Sequence, residues 1–486
     1  MPDAHTPQVD VAIIGAGTAG LSAYRAVLQH TSSVRLIEAG VYGTTCARVG
    51  CMPSKLLIAA ADAAHGIADA GRFGIRAQAA VVDGAAVMAR VRSERDRFAG
   101  LVVEAVESWP QEHRLHGRAR FVDPQTLEID GPAGRSRLRA GRIVIATGSR
   151  PALVPGWQEK LGDRLLVSDD VFSWHDLPGS VAVVGAGLIG LELAQALHRL
   201  GVRVHLYGRG GLLGPLSSPG LRPLAQQVLS GELPMNTDTV AIDVAREGDE
   251  VIVRSTLSGG ASHEARFDWL LCTVGRRPNL DGLQLGNSGL ALGASGVPAF
   301  DRRTAQAGSS PVFIAGDAAQ DRPLLHEAAD EGRIAGDNAG RFPDVRVHPR
   351  RAPLAVVFSD PQMMIAGASH AELVAAGTSF ETGTVSFGDQ GRSRVAGRNR
   401  GALEVYGERD TGRFLGAEML GPAAEHIGSL LAWSVQRGDT VQQMLDCPFY
   451  HPVIEEGVRT ALRDLRRALR MGPRPVPNCL DCGPGG

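Results

Sequence analysis

"VDVAIIGAGTAGLSAYRAVLQHTSSVRLIEAG", residues 9–40, begins with an apolar strand, turns through glycines, continues with helical periodicity and ends in a second strand. This is the pattern of a βαβ unit that holds a dinucleotide. The turn has to be tight, the backbone has to approach a pyrophosphate, and the helix has to pack on its strand. Gly15, Gly17 and Gly20 stand where those three demands fall, and the helix N-terminus adds N–H donors and a positive dipole end. Residues 180–210, "SVAVVGAGLIGLELAQALHRLGVRVHLYGRG", repeat the plan with Gly185, Gly187 and Gly190. One such fingerprint also arises for structural reasons alone; two in one chain point to two nucleotide-binding units.

The two copies differ at the end of the second strand. Glu38 closes the first, at the spacing of a carboxylate that accepts from a ribose 2′-hydroxyl, so that site reads as FAD or NAD. The second has Gly208 followed by Arg209. Losing the acid and gaining a cation suits a 2′-phosphate, so NADP(H) is favoured over NAD(H); an ordinary exposed strand-end arginine is the alternative.

Three more buried strands end in small-residue turns. They are "RIVIATGSRP" (142–151), "LLCTVGRRPNL" (270–280) and "PVFIAGDAAQ" (311–320). The first two read as paired returns of the chain. In the third, Asp317 either holds a cofactor hydroxyl or caps the helical stretch that follows. From about residue 351, strand-rich segments and then helices through about 470 indicate an α+β domain. The last residues, 471–486, are rich in Pro and Gly and contain Cys479 and Cys482.

Bulk composition narrows the function classes. At 486 residues the chain calls for more than one core, and a formal charge of −2 gives no field for nucleic acid or an anionic membrane. No apolar run reaches a membrane span and no signal pattern opens the chain, so the expectation is a soluble, cytoplasmic protein. Six cysteines are too few for a secreted disulfide framework and point to chemistry instead. Only two of the 50 basic residues, Lys55 and Lys160, are lysines.

Cys46 and Cys51 lie five apart in "GTTCARVGCMPSK" (43–55). No Cys/His block accompanies them at zinc spacing, so no metal is expected, and a redox pair is the better reading. On an ideal helix their Cα atoms would be roughly 8.7 Å apart, beyond the ~7 Å reach of a disulfide. The helix must therefore be distorted or only beginning here, and Gly50 and Pro53 make that feasible.

This stretch resembles the active site of the pyridine nucleotide-disulfide oxidoreductases, the flavoproteins that include dihydrolipoyl dehydrogenase, glutathione reductase and mercuric reductase. The likeness runs from about residue 9 to 470. It implies an α/β protein with two Rossmann-like domains and a C-terminal α+β dimerisation domain. FAD would bind residues 1–150 and 281–350, NAD(P)H the inserted 151–280, and 351–470 would form a homodimer. Cys46 resembles the interchange thiol and Cys51 the thiol beside the flavin. Lys55 resembles the lysine near flavin N5, and Glu192 its carboxylate partner. Glu38, Asp317, Thr45, Thr147 and Gly148 match FAD-binding positions, and Gly275 an NAD(P)-binding one. In "FYHPVIEEG", His451 and Glu456 resemble the base dyad that one subunit gives to the other, with Glu455 as the neighbouring alternative. The substrate implied is a small dithiol or disulfide, or a lipoyl-bearing protein.

Some signals pull toward mercuric reductase: the Gly-Arg after the second strand, and the tail pair Cys479 and Cys482. That pair is either a second dithiol relay or a set of thiols without a role. Arg48, between the active cysteines, either faces a thiolate or substrate anion or is simply solvated.

Overall fold

A computed structural model describes residues 6–472; Cys479 and Cys482 lie outside the described residues. Chain contacts divide it into two compact units, one of residues 1–53, 90–152 and 276–350, the other of 54–89, 153–275 and 351–486. The architecture is α/β.

In the first unit, β1 (Gln8–Ile14) lies parallel to β2 (Val34–Glu38) and to the long strand Gly134–Ile145, which also pairs with Val312–Ile314. The sheet continues through Thr126–Gly131 and Arg118–Asp123 as an antiparallel meander. Its central strands are buried on both faces, hence the unbroken runs "AII" and "IVI". Helix α1 (Thr18–Val27) packs against the helix Leu325–Arg341 at backbone distance. A Cβ on Gly332 would lie 2.1 Å from the Ala19 carbonyl oxygen, and one on Gly336 2.3 Å from that of Ala23. Small residues one turn apart on each helix permit that approach. The paired returns expected from the sequence do pair: Ser149–Pro151 runs antiparallel to Arg276–Pro278.

The second unit contains a parallel sheet in the order Met235–Asn236, Arg203–Tyr207, Ser180–Val184, Trp269–Cys272, Leu165–Val167. The helix Leu188–Arg199 follows its Gly-rich turn. A second, antiparallel sheet of five strands is ordered Leu354–Val357, Gln362–Gly367, Phe414–Gly421, Ala402–Glu408, Phe380–Ser386. The strand-rich region read from about residue 351 supplies all five. The helices Ala424–Arg437 and Glu456–Ala468 share its core with Met364, Leu403, Leu431 and Leu462. Among the described residues, no helix is long and apolar enough to cross a membrane.

Candidate active site

The two glycine turns are built alike, and each glycine has its own reason. Gly15 and Gly185 have φ of +108° and +115°, and a Cβ on either would lie 2.3 Å from a carbonyl oxygen of the neighbouring strand return, Ala146 or Thr273. Gly20 and Gly190 sit where a Cβ would lie 1.8 Å from the carbonyl oxygen of the first glycine. Gly17 and Gly187 meet nothing and leave the backbone open in front of the helix. The first and third glycines are thus required by packing, and the middle one by access for a ligand.

Around the first turn, Glu38 accepts from the backbone N–H of Ala16 at 2.7 Å and of Gly40 at 2.8 Å, which leaves lone pairs for a sugar hydroxyl. Asp317 does not cap the Leu325–Arg341 helix. It lies in the short turn Gly316–Ala319 and accepts from the Ser149 hydroxyl at 2.5 Å, and Arg276 donates in turn to that hydroxyl at 2.8 Å. The Thr147 hydroxyl is buried and makes no hydrogen bond among the described residues. Beside it, Gly148 has φ +66°. An orphaned buried hydroxyl, a carboxylate with spare lone pairs and an open glycine at a helix start fit a flavin dinucleotide.

The helix expected to be irregular at the cysteines is broken between them. Helix α2 (Thr45–Val49) carries Cys46, Gly50 departs to φ −130°, ψ −116°, and α3 (Cys51–Asp69) begins at Cys51. A Cβ on Gly50 would lie 3.2 Å from the Cα of Cys46. Thr44 caps α2 from an unusual φ of +53°. The side chains of Cys46 and Cys51 share a hydrogen bond. That bond, and then burial, push the Cys46 thiol well above its ordinary range, while the N–H groups of Cys51 and Met52 pull in the opposite direction. Arg48 lays its stem against the turn: a Cβ on Gly43 would meet its Cδ at 2.9 Å. It therefore braces the loop in front of the cysteines, a role its sequence position did not reveal. Thr45 is exposed at the start of α2.

In the second unit, Lys55 donates to Glu192 at 2.7 Å. Glu192 is 7% exposed and accepts the Phe358 backbone N–H at 2.9 Å, while the Lys55 ammonium lies 4.5 Å from the Phe358 ring centre. His451 turns Nδ1 to both oxygens of Glu456, at 3.0 and 3.1 Å, leaving Nε2 for chemistry. Glu456 is 3% exposed and also accepts from Arg459 at 3.1 Å. Glu456, not Glu455, is the partner. Phe358 and Arg459 were missed by sequence reasoning. Arg459, three residues after Glu456 on one helix face, carried an available signal.

Around the second turn, Gly275 has φ +122° with open space in front of it, and Arg209 is exposed just past the strand Arg203–Tyr207. Arg222 donates to the Gly210 carbonyl at 3.0 Å, and its Nε is buried without a hydrogen-bond partner among the described residues. Two guanidiniums beside one glycine turn fit an extra phosphate. Among the described residues no cluster suits a metal ion.

The comparisons with known proteins agree with this geometry. Residues 9–332 match the family model "Pyridine nucleotide-disulphide oxidoreductase", and 354–462 the dimerisation domain of the same family. The chain is 29% identical to the dihydrolipoyl dehydrogenase of Halobacterium salinarum over 457 residues, 93% of this chain and 95% of that protein. It is 31% identical to the mercuric reductase of Streptomyces lividans over 472 residues, again 93% and 95%. Among solved structures, LpdA from Mycobacterium tuberculosis has a TM-score of 0.80 at 24% identity, covering 94% of this chain and 99% of that one. A Cu(II) complex of the flavoprotein disulfide reductase RclA from Escherichia coli has 0.79 at 21%, covering 94% and 99%. The chain belongs to the pyridine nucleotide-disulphide oxidoreductase family, as an FAD-dependent enzyme.

Proposed function

We propose that the enzyme moves electrons between NADP(H) and a small dithiol or disulfide, or a lipoyl-bearing protein, in the manner of a dihydrolipoyl dehydrogenase, as a homodimer. The observation that carries this is the His451–Glu456 dyad, together with a Cys46 thiol raised above its ordinary range by its bond to Cys51 and by burial. A thiol held protonated needs a base before it can attack. Glu456 fixes the Nδ1–H tautomer and leaves Nε2 basic, which is what such exchange requires.

Bound FAD supplies the two-electron link between the nicotinamide and the thiol pair, held by Gly15, Gly17, Gly20, Glu38, Thr45, Thr147, Gly148 and Asp317. The chain does the proton and sulfur work. In the direction of disulfide reduction, His451 of a second copy takes the Cys46 proton, and the thiolate attacks one substrate sulfur. The other sulfur leaves with that proton. Cys51, as thiolate, then displaces the substrate from Cys46, closing the Cys46–Cys51 bond and releasing the second substrate sulfur as a thiolate, which takes its proton from solvent. Lys55, neutralised by Glu192, supplies a fixed cation near the reacting centre. Gly185, Gly187, Gly190, Gly275 and Arg209 hold the nicotinamide nucleotide.

Mercuric-type metal-ion reduction is the second reading, favoured by the 31% identity to a mercuric reductase. Assaying dihydrolipoamide and Hg(II) with NADH and NADPH in parallel tests the two. Turnover of the dithiol pair upholds the first reading, and NADPH-dependent loss of Hg(II) without it overturns the first in favour of the second.

A further inference from the structure

Three residues on one face of the helix Leu188–Arg199, spaced at i, i+3 and i+7, are polar and buried: Glu192, Gln195 and Arg199. Only the first has a place in the reaction proposed above. Gln195 pairs with both backbone groups of Asp360, accepting its N–H at 2.8 Å and donating to its carbonyl at 2.9 Å. An amide is the side chain that can do both at once, since a carboxylate has no donor. Arg199, its side chain 3% exposed, grips Glu232 with two nitrogens, at 2.5 and 3.0 Å, and reaches Asp360 at 3.0 Å and Asp62 at 2.9 Å. Glu232 also accepts from Gln195 at 3.2 Å.

Four of the helix's bonds fall on the segment Phe358–Asp360. Its backbone is tied at Asp360 by Gln195, its side chain at Asp360 by Arg199, and its N–H at Phe358 by Glu192. One helix face thus fixes both ends of this three-residue segment. The first of these caps the Lys55 ammonium with its ring and occupies one oxygen of Glu192, leaving the other for Lys55. A void of about 10 Å³, lined by Asp62, Glu192, Gln195, Arg199 and Phe358 among others, lies in the seam.

We propose that Gln195 and Arg199 are positioning residues for the Lys55–Glu192 pair: by clamping Asp360 they hold the Phe358 N–H on Glu192 and the Phe358 ring over Lys55. The proposal rests on the reading of that pair as part of the redox centre, and the experiment separates the two. The position of Lys55 can be read without turnover, because the chain has only two lysines. Protein labelled with ¹³C at the lysine ε carbon gives one signal for Lys55 and one for Lys160. The Phe358 ring shifts the first upfield, and Lys160, paired with Asp243, serves as the internal control.

In the FAD-loaded enzyme, Phe358→Leu defines the signal with no ring. Gln195→Met keeps the volume and removes the bonds to Asp360; Arg199→Gln removes the fork without adding a third lysine signal, so a variant that misfolds leaves the other to decide. The expected result is that the Lys55 signal moves at least halfway to the Phe358→Leu position while Lys160 stays, and that flavin reduction by NADPH slows about tenfold. A Lys55 signal within its wild-type position in the folded variants overturns the proposal. A displaced signal with unchanged flavin reduction upholds the clamp and overturns the catalytic reading of Lys55–Glu192.

Discussion

Gly208 faces Ala186 so closely that a Cβ on it would lie 2.8 Å from the alanine Cβ. Strand register makes Gly208 the counterpart of Glu38: Ile14 pairs with Ile37 and Val184 with Tyr207, one residue before each. The second turn therefore excludes the acid that reads a free ribose, and Arg209 follows. Arg209→Ala should raise KM for NADPH about 10- to 100-fold and leave NADH within about twofold, by loss of a charge-assisted phosphate contact. Equal losses for both nucleotides in steady-state assays would remove Arg209 from specificity.

The hydrogen bond between Cys46 and Cys51, and then burial, raise the Cys46 thiol above its ordinary range. After two-electron reduction, Cys51→Ser should lose the long-wavelength thiolate-to-flavin absorbance while still binding FAD. Cys46→Ser should keep the band and lose substrate exchange. A band that survives in Cys51→Ser and vanishes in Cys46→Ser would exchange the two roles.

Much of the fold was legible because its rules are local. A glycine turn declares itself within six residues, and the spacing of Cys46 and Cys51 alone required the break found at Gly50. The dyad was legible only through the likeness of "FYHPVIEEG" to the family motif, since a histidine and a carboxylate five apart do not by themselves mark a base. Phe358 and Gln195 were not. Phe358 meets Glu192 through a backbone N–H 166 residues away, a bond any side chain at 358 permits, and Gln195 bonds a segment 165 residues distant. Arg48 was ambiguous because the contact its methylenes make with Gly43 depends on the turn of the loop, which its charge and spacing do not show.

Glu456 is buried between His451 and Arg459. Glu456→Gln keeps the shape but weakens the hold on the Nδ1–H tautomer. Stopped-flow measurement should show the dithiol half-reaction slowed about 10²- to 10³-fold, within the range of general acid–base catalysis, with reduction of the flavin by NADPH unchanged. Slowing of both halves would assign Glu456 to structure. His451→Ala should slow the dithiol half to a similar degree, and the double variant no further, because the two act as one unit.

Tyr207, 2% exposed in the second unit, has its phenol pushed up to about 12 by burial, with the nearby Arg203 opposing. The ordinary value is 10.0. The folded state therefore holds this proton more tightly than the unfolded chain does. Its contribution is fully present below pH 10 and is lost as pH rises toward 12. Two units correspond to about 2–3 kcal/mol. Urea unfolding of the nucleotide-free enzyme at pH 9 and pH 11.5 should show that loss in the wild type, added to the titration of other groups. Tyr207→Phe should show a loss smaller by about 2 kcal/mol, because the variant has no phenol to ionise. Equal losses in the two proteins would mean that the Tyr207 phenol ionises as readily in the fold as in the unfolded chain.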